Sequence, residues 1–186
     1  MNTGLHHAAL LVMDVQPGIT DRITNKEAYL KKVQFAVDTA HKKNIPVLFV
    51  VVGFRQGLPE INANNKSFNA MKNAMPAYMV NPQPVIPMLE QDVLIVKRRV
   101  SAFAGSDLEM VLRAKGVQHL ILTGIATGGV VLSTLREAAD KDYQITVLSD
   151  LCADTDEEVH NVLMGKVFPR QAAVIKLEEW LLQTPV

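Results

Sequence analysis

The stretch QHLILTGIATGGVVLSTLREAADKD, residues 118 to 142, changes its hydrophobic period part-way along, and that change sets the reading of the whole chain. Its first part, His119-Leu120-Ile121-Leu122-Thr123, is a short continuous apolar run of the kind a strand shows when both faces are covered. Past Gly124-Ile125-Ala126-Thr127-Gly128-Gly129 the apolar positions fall at helical spacing. Val131, Leu132, Leu135, Ala138 and Ala139 lie on one side, and Arg136, Glu137 and Lys141 on the other. A strand entering a helix through such a turn leaves backbone N–H groups at the helix N-terminus, where developing negative charge can be held. Gly124 and Gly129 have phosphate-loop separation, but Val130-Val131 occupy the places of its Lys and Ser/Thr, so no side chain there reaches a phosphate or Mg²⁺. A dinucleotide G-x-G-x-x-G and a nucleophile elbow G-x-S-x-G are both absent.

Working outward, 186 residues with 48% hydrophobic content predict a single α/β domain over residues 1 to 186, large enough to bury a core without staples. The 19 basic residues balance the 19 acidic ones, and no basic stripe forms, so nucleic acid and membrane are not expected as partners. A small organic substrate is. One cysteine, Cys152, excludes an internal disulfide and fits a reducing compartment. No secretory pattern opens the chain, and its apolar runs are too short to span a bilayer, so a cytoplasmic location is expected.

The apolar run His7 to Met13 ends in Asp14-Val15-Gln16-Pro17-Gly18, which places a carboxylate at the C-terminal end of the first strand. In an open α/β sheet that end faces the ligand crevice. Asp14 reads either as a turn-capping residue or as a catalytic one. Lys26 to Lys43 has helical spacing (Tyr29, Val33, Val37, Ala40), and residues 45 to 53 form a second buried strand. The Asn- and Pro-rich segment 54 to 87 lacks a periodic pattern; it reads as a variable binding loop or lid, or as a loop making oligomer contacts. Phe54, Arg55, Phe68 and Tyr78 are its candidates for shaping a pocket. Residues 92 to 96 are the third strand, delivering Lys97 at its crevice end, where it is either a solvated surface cation or a partner for Asp14. A helix over 107 to 115, capped by Ser106 or Asp107, ends at Gly116. Residues 144 to 148 form the fifth strand; Thr155 to Phe168 read as a helix opened by a Thr155/Glu158 capping box; 172 to 175 and 176 to 183 supply a last strand and helix. Six strands alternating with helices predict a three-layer αβα fold, a doubly wound six-stranded parallel sheet.

Thr123-Gly124-Ile125-Ala126-Thr127-Gly128-Gly129-Val130-Val131-Leu132-Ser133-Thr134 resembles the signature of the isochorismatase-like (cysteine hydrolase) superfamily, T-G-[hydrophobic]-A-T-x-x-C-V-x-x-T. Every landmark matches except the nucleophile, whose position holds Val130. The V-x-D-x-Q element around Asp14 and the K-x-x-x-S-A-F element from Lys97 resemble the superfamily's other two catalytic motifs. The resemblance spans nearly the whole chain and implies the same αβα fold. It implies Asp14 as general acid/base and Lys97 as its electrostatic partner. It also implies an Ile125–Ala126 cis peptide with Ala126 and Val130 as oxyanion donors, and a turn of Ile125, Ala126, Thr127, Gly128 and Gly129 beside a pocket lined by Gln16, Phe54 and Phe103. Metal-dependent members carry D-x-H after the second strand; residues 53 to 57 have neither Asp nor His, and the five histidines show no ligand spacing, so no metal and no cofactor are expected. Relatives of this kind are commonly dimers or larger, and a homo-oligomer is expected here.

Without sulfur at position 130 no thioester forms there. Cys152, at the same sheet edge, reads as a displaced nucleophile or as a buried structural thiol. Isochorismatases also lack the cysteine and cleave a vinyl ether without a covalent intermediate. Two functions follow: a non-covalent hydrolase of a small organic substrate, or a degenerate member that binds ligand or assembles without catalysis.

Overall fold

The computed structural model describes residues 7 to 183. Six strands form one parallel sheet in the order β3-β2-β1-β4-β5-β6. They are β1 (Ala8–Met13), β2 (Val47–Val52), β3 (Val93–Lys97), β4 (His119–Ile125), β5 (Gln144–Ala153) and β6 (Ala173–Ile175). Every residue of β1 and β2 is buried, which is why their sequences are unbroken apolar runs. One face of the sheet, through Leu11, Met13, Val50 and Ile95, packs on α3 (Leu108–Ala114) and α4 (Leu132–Asp140) by way of Leu108, Leu112 and Leu135. The other, through Leu10, Val12, Phe49 and Ile121, packs on α1 (Lys26–Lys42) and the last helix of the chain through Val33, Val37 and Trp180. The three-layer doubly wound architecture expected from the strand and helix pattern is therefore observed.

The chain runs β1, β2, β3 towards one edge and then returns to place β4 beside β1, so the direction of winding reverses between β1 and β4. Open α/β sheets bind ligands beyond the strand C-termini at such a reversal. Asp14 and the turn after Ile125 stand at the ends of these two strands.

Three details depart from the expected boundaries. Strand β5 continues to Ala153 because it bulges: Leu122 pairs with Val147, whereas Gly124 pairs with Cys152. The helix expected from Thr155 begins instead as α5 (Glu157–Val162) and is capped by Asp156, whose carboxylate accepts from the Val159 N–H at 3.0 Å. Asp156 sits three residues before that amide, the spacing an N-cap side chain needs, and Thr155 does not. Leu163–Val167 then widens to a π turn before Phe168–Arg170, and α6 (Leu177–Gln183) closes the chain. In the segment after β2, α2 (Lys66–Met71) is capped by Asn65, and Val52, Phe54, Ile61, Phe68 and Met79 make a small apolar core of their own. That segment crosses the crevice ends of β1 and β2: the Val85 N–H donates to Val15 O at 2.9 Å and the Phe54 N–H to Met79 O at 2.7 Å.

Candidate active site

Asp14 follows directly on the last residue of β1 and adopts a left-handed φ of 55°, a conformation Asp tolerates better than most residues. Lys97 ends β3, with β2 lying between the two. Two strand spacings amount to roughly 10 Å, a gap that only a long side chain crosses. The Lys97 ammonium makes that crossing: its Nζ lies 3.0 Å from Asp14 Oδ2 and donates to Arg99 O at 3.0 Å. Asp14 is 6% exposed and Lys97 2%. Among the described residues, Asp14 Oδ1 is buried without a hydrogen-bond partner. Burial pushes the Asp14 carboxyl above the ordinary aspartate range, and the opposing charge and hydrogen bond of Lys97, together with the Val52 backbone N–H, do not fully cancel that effect.

The turn lies next to this pair because Met13 is in register with Gly124. The Ile125–Ala126 peptide is cis, as the motif implies. Thr127–Val131 forms one π turn that continues into α4. Several of its amides are committed: Gly128 N–H donates to Asp154 Oδ2 at 2.7 Å, and those of Gly129 and Val131 donate to Ala126 O at 3.0 and 3.3 Å. Thr127 Oγ1 is hydrogen-bonded to His160 Nδ1 at 2.8 Å. Val130 is 2% exposed, in the cluster that joins Met13, Leu122 and Leu135.

The three residues expected to line the pocket are otherwise engaged. Gln16 is fully buried, donating through Nε2 to Val52 O at 3.1 Å and accepting from Val52 N–H at 2.8 Å, so it ties the segment after β1 to β2. Phe54 is buried in the small core, with its ring centroid 5.2 Å from that of Phe68. Phe103 stacks on Tyr143 at 6.1 Å under the Lys141 ammonium, against the residue that precedes β5. Cys152 is buried in the core and its thiol is pushed up to about 12 by burial, which leaves it neutral and unreactive at ordinary pH. A groove of about 1030 Å³ runs along the outer edge of β3 between Arg55, Glu60, Arg99 and Asp107. Neither Asp14 nor Lys97 lines it, and Arg55 and Arg98 are already paired with Glu60, so it does not displace the Asp14 crevice as the candidate site.

Asp154 and His160, which brace the turn, went unnoticed in the sequence because they come 26 and 33 residues after their partners. The available signal was position: Asp154 directly follows the end of β5, the neighbour of β4. Among the described residues no group of three or more His, Cys, Asp or Glu is arranged to hold a metal ion. No helix among them is long and apolar enough to cross a membrane.

The isochorismatase domain matches residues 8–179 of the chain. This protein belongs to the isochorismatase family. The isochorismatase-family protein YwoC of Bacillus subtilis (strain 168) is 30% identical over 184 residues, covering 98% of this chain and 97% of YwoC. The ureidoacrylate amidohydrolase RutB of Stutzerimonas stutzeri (strain A1501) is 26% identical over 196 residues, covering 91% of this chain and 75% of RutB. A cysteine hydrolase from Pseudomonas syringae pv. phaseolicola 1448A has the same fold, with a TM-score of 0.85 at 18% identity over 99% of this chain and 95% of its own. Within this isochorismatase-family fold, Lys97 meets Asp14 at 3.0 Å, and Met13, the residue before Asp14, is in register with Gly124 at the start of the turn.

Proposed function

We propose that this isochorismatase-family protein is a hydrolase of a small organic substrate that works without a covalent cysteine intermediate. Asp14 is its general acid/base and Lys97 the electrostatic partner. The observation that carries this reading is the buried ion pair whose second carboxyl oxygen, Asp14 Oδ1, has no protein partner among the described residues. Burial raises the affinity of the Asp14 carboxyl for a proton, and Oδ1 is the atom at which a substrate or a water would exchange one. Lys97 holds the group in place and stabilises the carboxylate left after transfer.

Attack by a thiolate is not part of the scheme. Position 130 is a valine, and the Cys152 thiol, at about 12, is neutral. The amidohydrolase relative RutB makes amides and carbamates reasonable compounds to screen, and acid-assisted cleavage adds vinyl ethers. Water positioned by the turn is the nucleophile. The valine at position 130 favours a second reading, a member that binds a small ligand or assembles as an oligomer without turnover.

Purified protein assayed against amides, carbamates and vinyl ethers, with thermal shifts measured on the same compounds, separates the two. Product formation that disappears in Asp14→Asn while the fold is retained is expected. Binding without product supports the second reading, and turnover that survives in Asp14→Asn overturns the first.

A further inference from the structure

The π turn and α4 run as one helical stretch from Thr127 to Asp140. Its N-terminal end points backbone N–H groups outward and carries a partial positive charge, a field suited to an oxyanion. One amide at that end is already taken: Gly128 N–H donates at 2.7 Å to the carboxylate of Asp154. The other carboxylate oxygen, Asp154 Oδ1, accepts from Asp156 N–H at 3.2 Å, which fixes the group between the turn and the start of α5. One residue earlier, Thr127 is tied to His160 at 2.8 Å. The fit is close: a Cβ on Gly128 would meet Val159 Cγ1 at 3.0 Å and Asp154 Oδ2 at 3.3 Å.

We propose that Asp154 is a positioning residue that sets the charge of the turn, its carboxylate cancelling the helix N-terminal field beside Val130. This rests on reading the Thr127 turn as part of the site. It deepens that reading by assigning the kind of charge the site tolerates. Acyl transfer through a tetrahedral intermediate concentrates negative charge on an oxygen, which the turn amides would ordinarily stabilise. A carboxylate held against the Gly128 amide, in the same turn as those donors, works against that charge. It favours a reaction in which Asp14 donates a proton and the substrate's reacting centre gains positive character. Asp154 thereby acts on the choice of reaction through the turn, without touching the substrate.

The effect is measurable without a substrate. Val130→Cys puts a reporter thiol on the turn, titrated by thiolate absorbance at 240 nm between pH 6 and 10; Cys152, at about 12, stays protonated through most of that range. Asp154→Asn keeps a side-chain oxygen to accept from Gly128 N–H and removes the charge. The expected result is a reporter thiol pKa about half a unit or more lower in Val130→Cys/Asp154→Asn than in Val130→Cys alone, the size a single charge exerts across a few ångströms of partly solvated protein. Asp154→Ser, a second uncharged acceptor, gives the same direction if the Asn variant folds poorly. Equal titrations, an upward shift, or no thiolate below pH 10 in either variant overturn the proposal. The companion Val130→Cys/Asp14→Asn tests the underlying site separately. A thiol that responds to Asp14 and not to Asp154 leaves the site standing and removes Asp154 from it. A thiol that responds to Asp154 and not to Asp14 leaves the charge-setting role and removes Asp14.

Discussion

Lys97 Nζ and Asp14 Oδ2 meet 3.0 Å apart across the width of β2, with side chains 2% and 9% exposed. A charge pair this deep is costly to break from one side. Lys97→Met or Asp14→Asn each leaves the other group buried without its partner, and each is expected to cost about 3–5 kcal/mol in urea unfolding. The double variant Asp14→Asn/Lys97→Met removes both and should recover most of that loss. The pH dependence of Lys97→Met follows from the sign of the Asp14 shift. A carboxyl whose folded value lies above the unfolded 3.8 contributes to stability at low pH and withdraws that contribution as pH rises through its raised value. Removing the lysine raises it further, so the destabilisation of Lys97→Met should be largest at neutral pH and shrink on acidification. Losses that add in the double variant contradict the pairing.

Cys152 is expected to be chemically silent in the folded state. Its thiol, at about 12 against an unperturbed 9.0, supports folding below pH 9 and loses that support as pH rises towards 12. Iodoacetamide at pH 8 should modify it only in denaturant, and Cys152→Ala should flatten the alkaline fall in stability. Rapid labelling of the native protein would assign it a different environment.

Gln16 is predicted by its bonds to be a matter of stability. Gln16→Leu strips the side-chain partner from both the N–H and the C=O of buried Val52, at a cost of about 2–4 kcal/mol. Denaturant midpoints measure this directly, and a variant as stable as the parent would put the Gln16 amide elsewhere.

At Gly18, with φ of 73°, the Tyr78 ring lies so close that a Cβ would overlap it. Gly18→Ala should therefore lower the thermal midpoint by several degrees. Tyr78→Ala in the same chain should restore part of it, since the steric component is relieved and the backbone component is not. No recovery would mean that the ring yields freely.

Much of this fold could be read directly. Continuous apolar runs marked β1, β2 and β4 because central parallel strands are covered on both faces, and the period change after Gly124 marked the turn and α4. Asp14 and Lys97 were legible as strand-end residues next to recognisable motifs. What was illegible depends on contacts between distant residues. Gln16 lies two residues after Asp14 yet turns inward to β2; Phe103 turns to Tyr143; Asp154 reaches Gly128 from just beyond the bulged end of β5. Local pattern records which face of an element is apolar, and it does not record which backbone amide a polar side chain will satisfy.

The pH dependence of kcat/KM, for whichever compound of the amide, carbamate and vinyl ether panel is turned over, tests the role of Asp14 most directly. Activity should be high while the buried carboxyl holds its proton and fall as pH rises past the ordinary aspartate range. It should persist unchanged in Cys152→Ala and be absent from Asp14→Asn at every pH. A rate that climbs with pH to a thiol-like plateau, or that survives in Asp14→Asn, would contradict it.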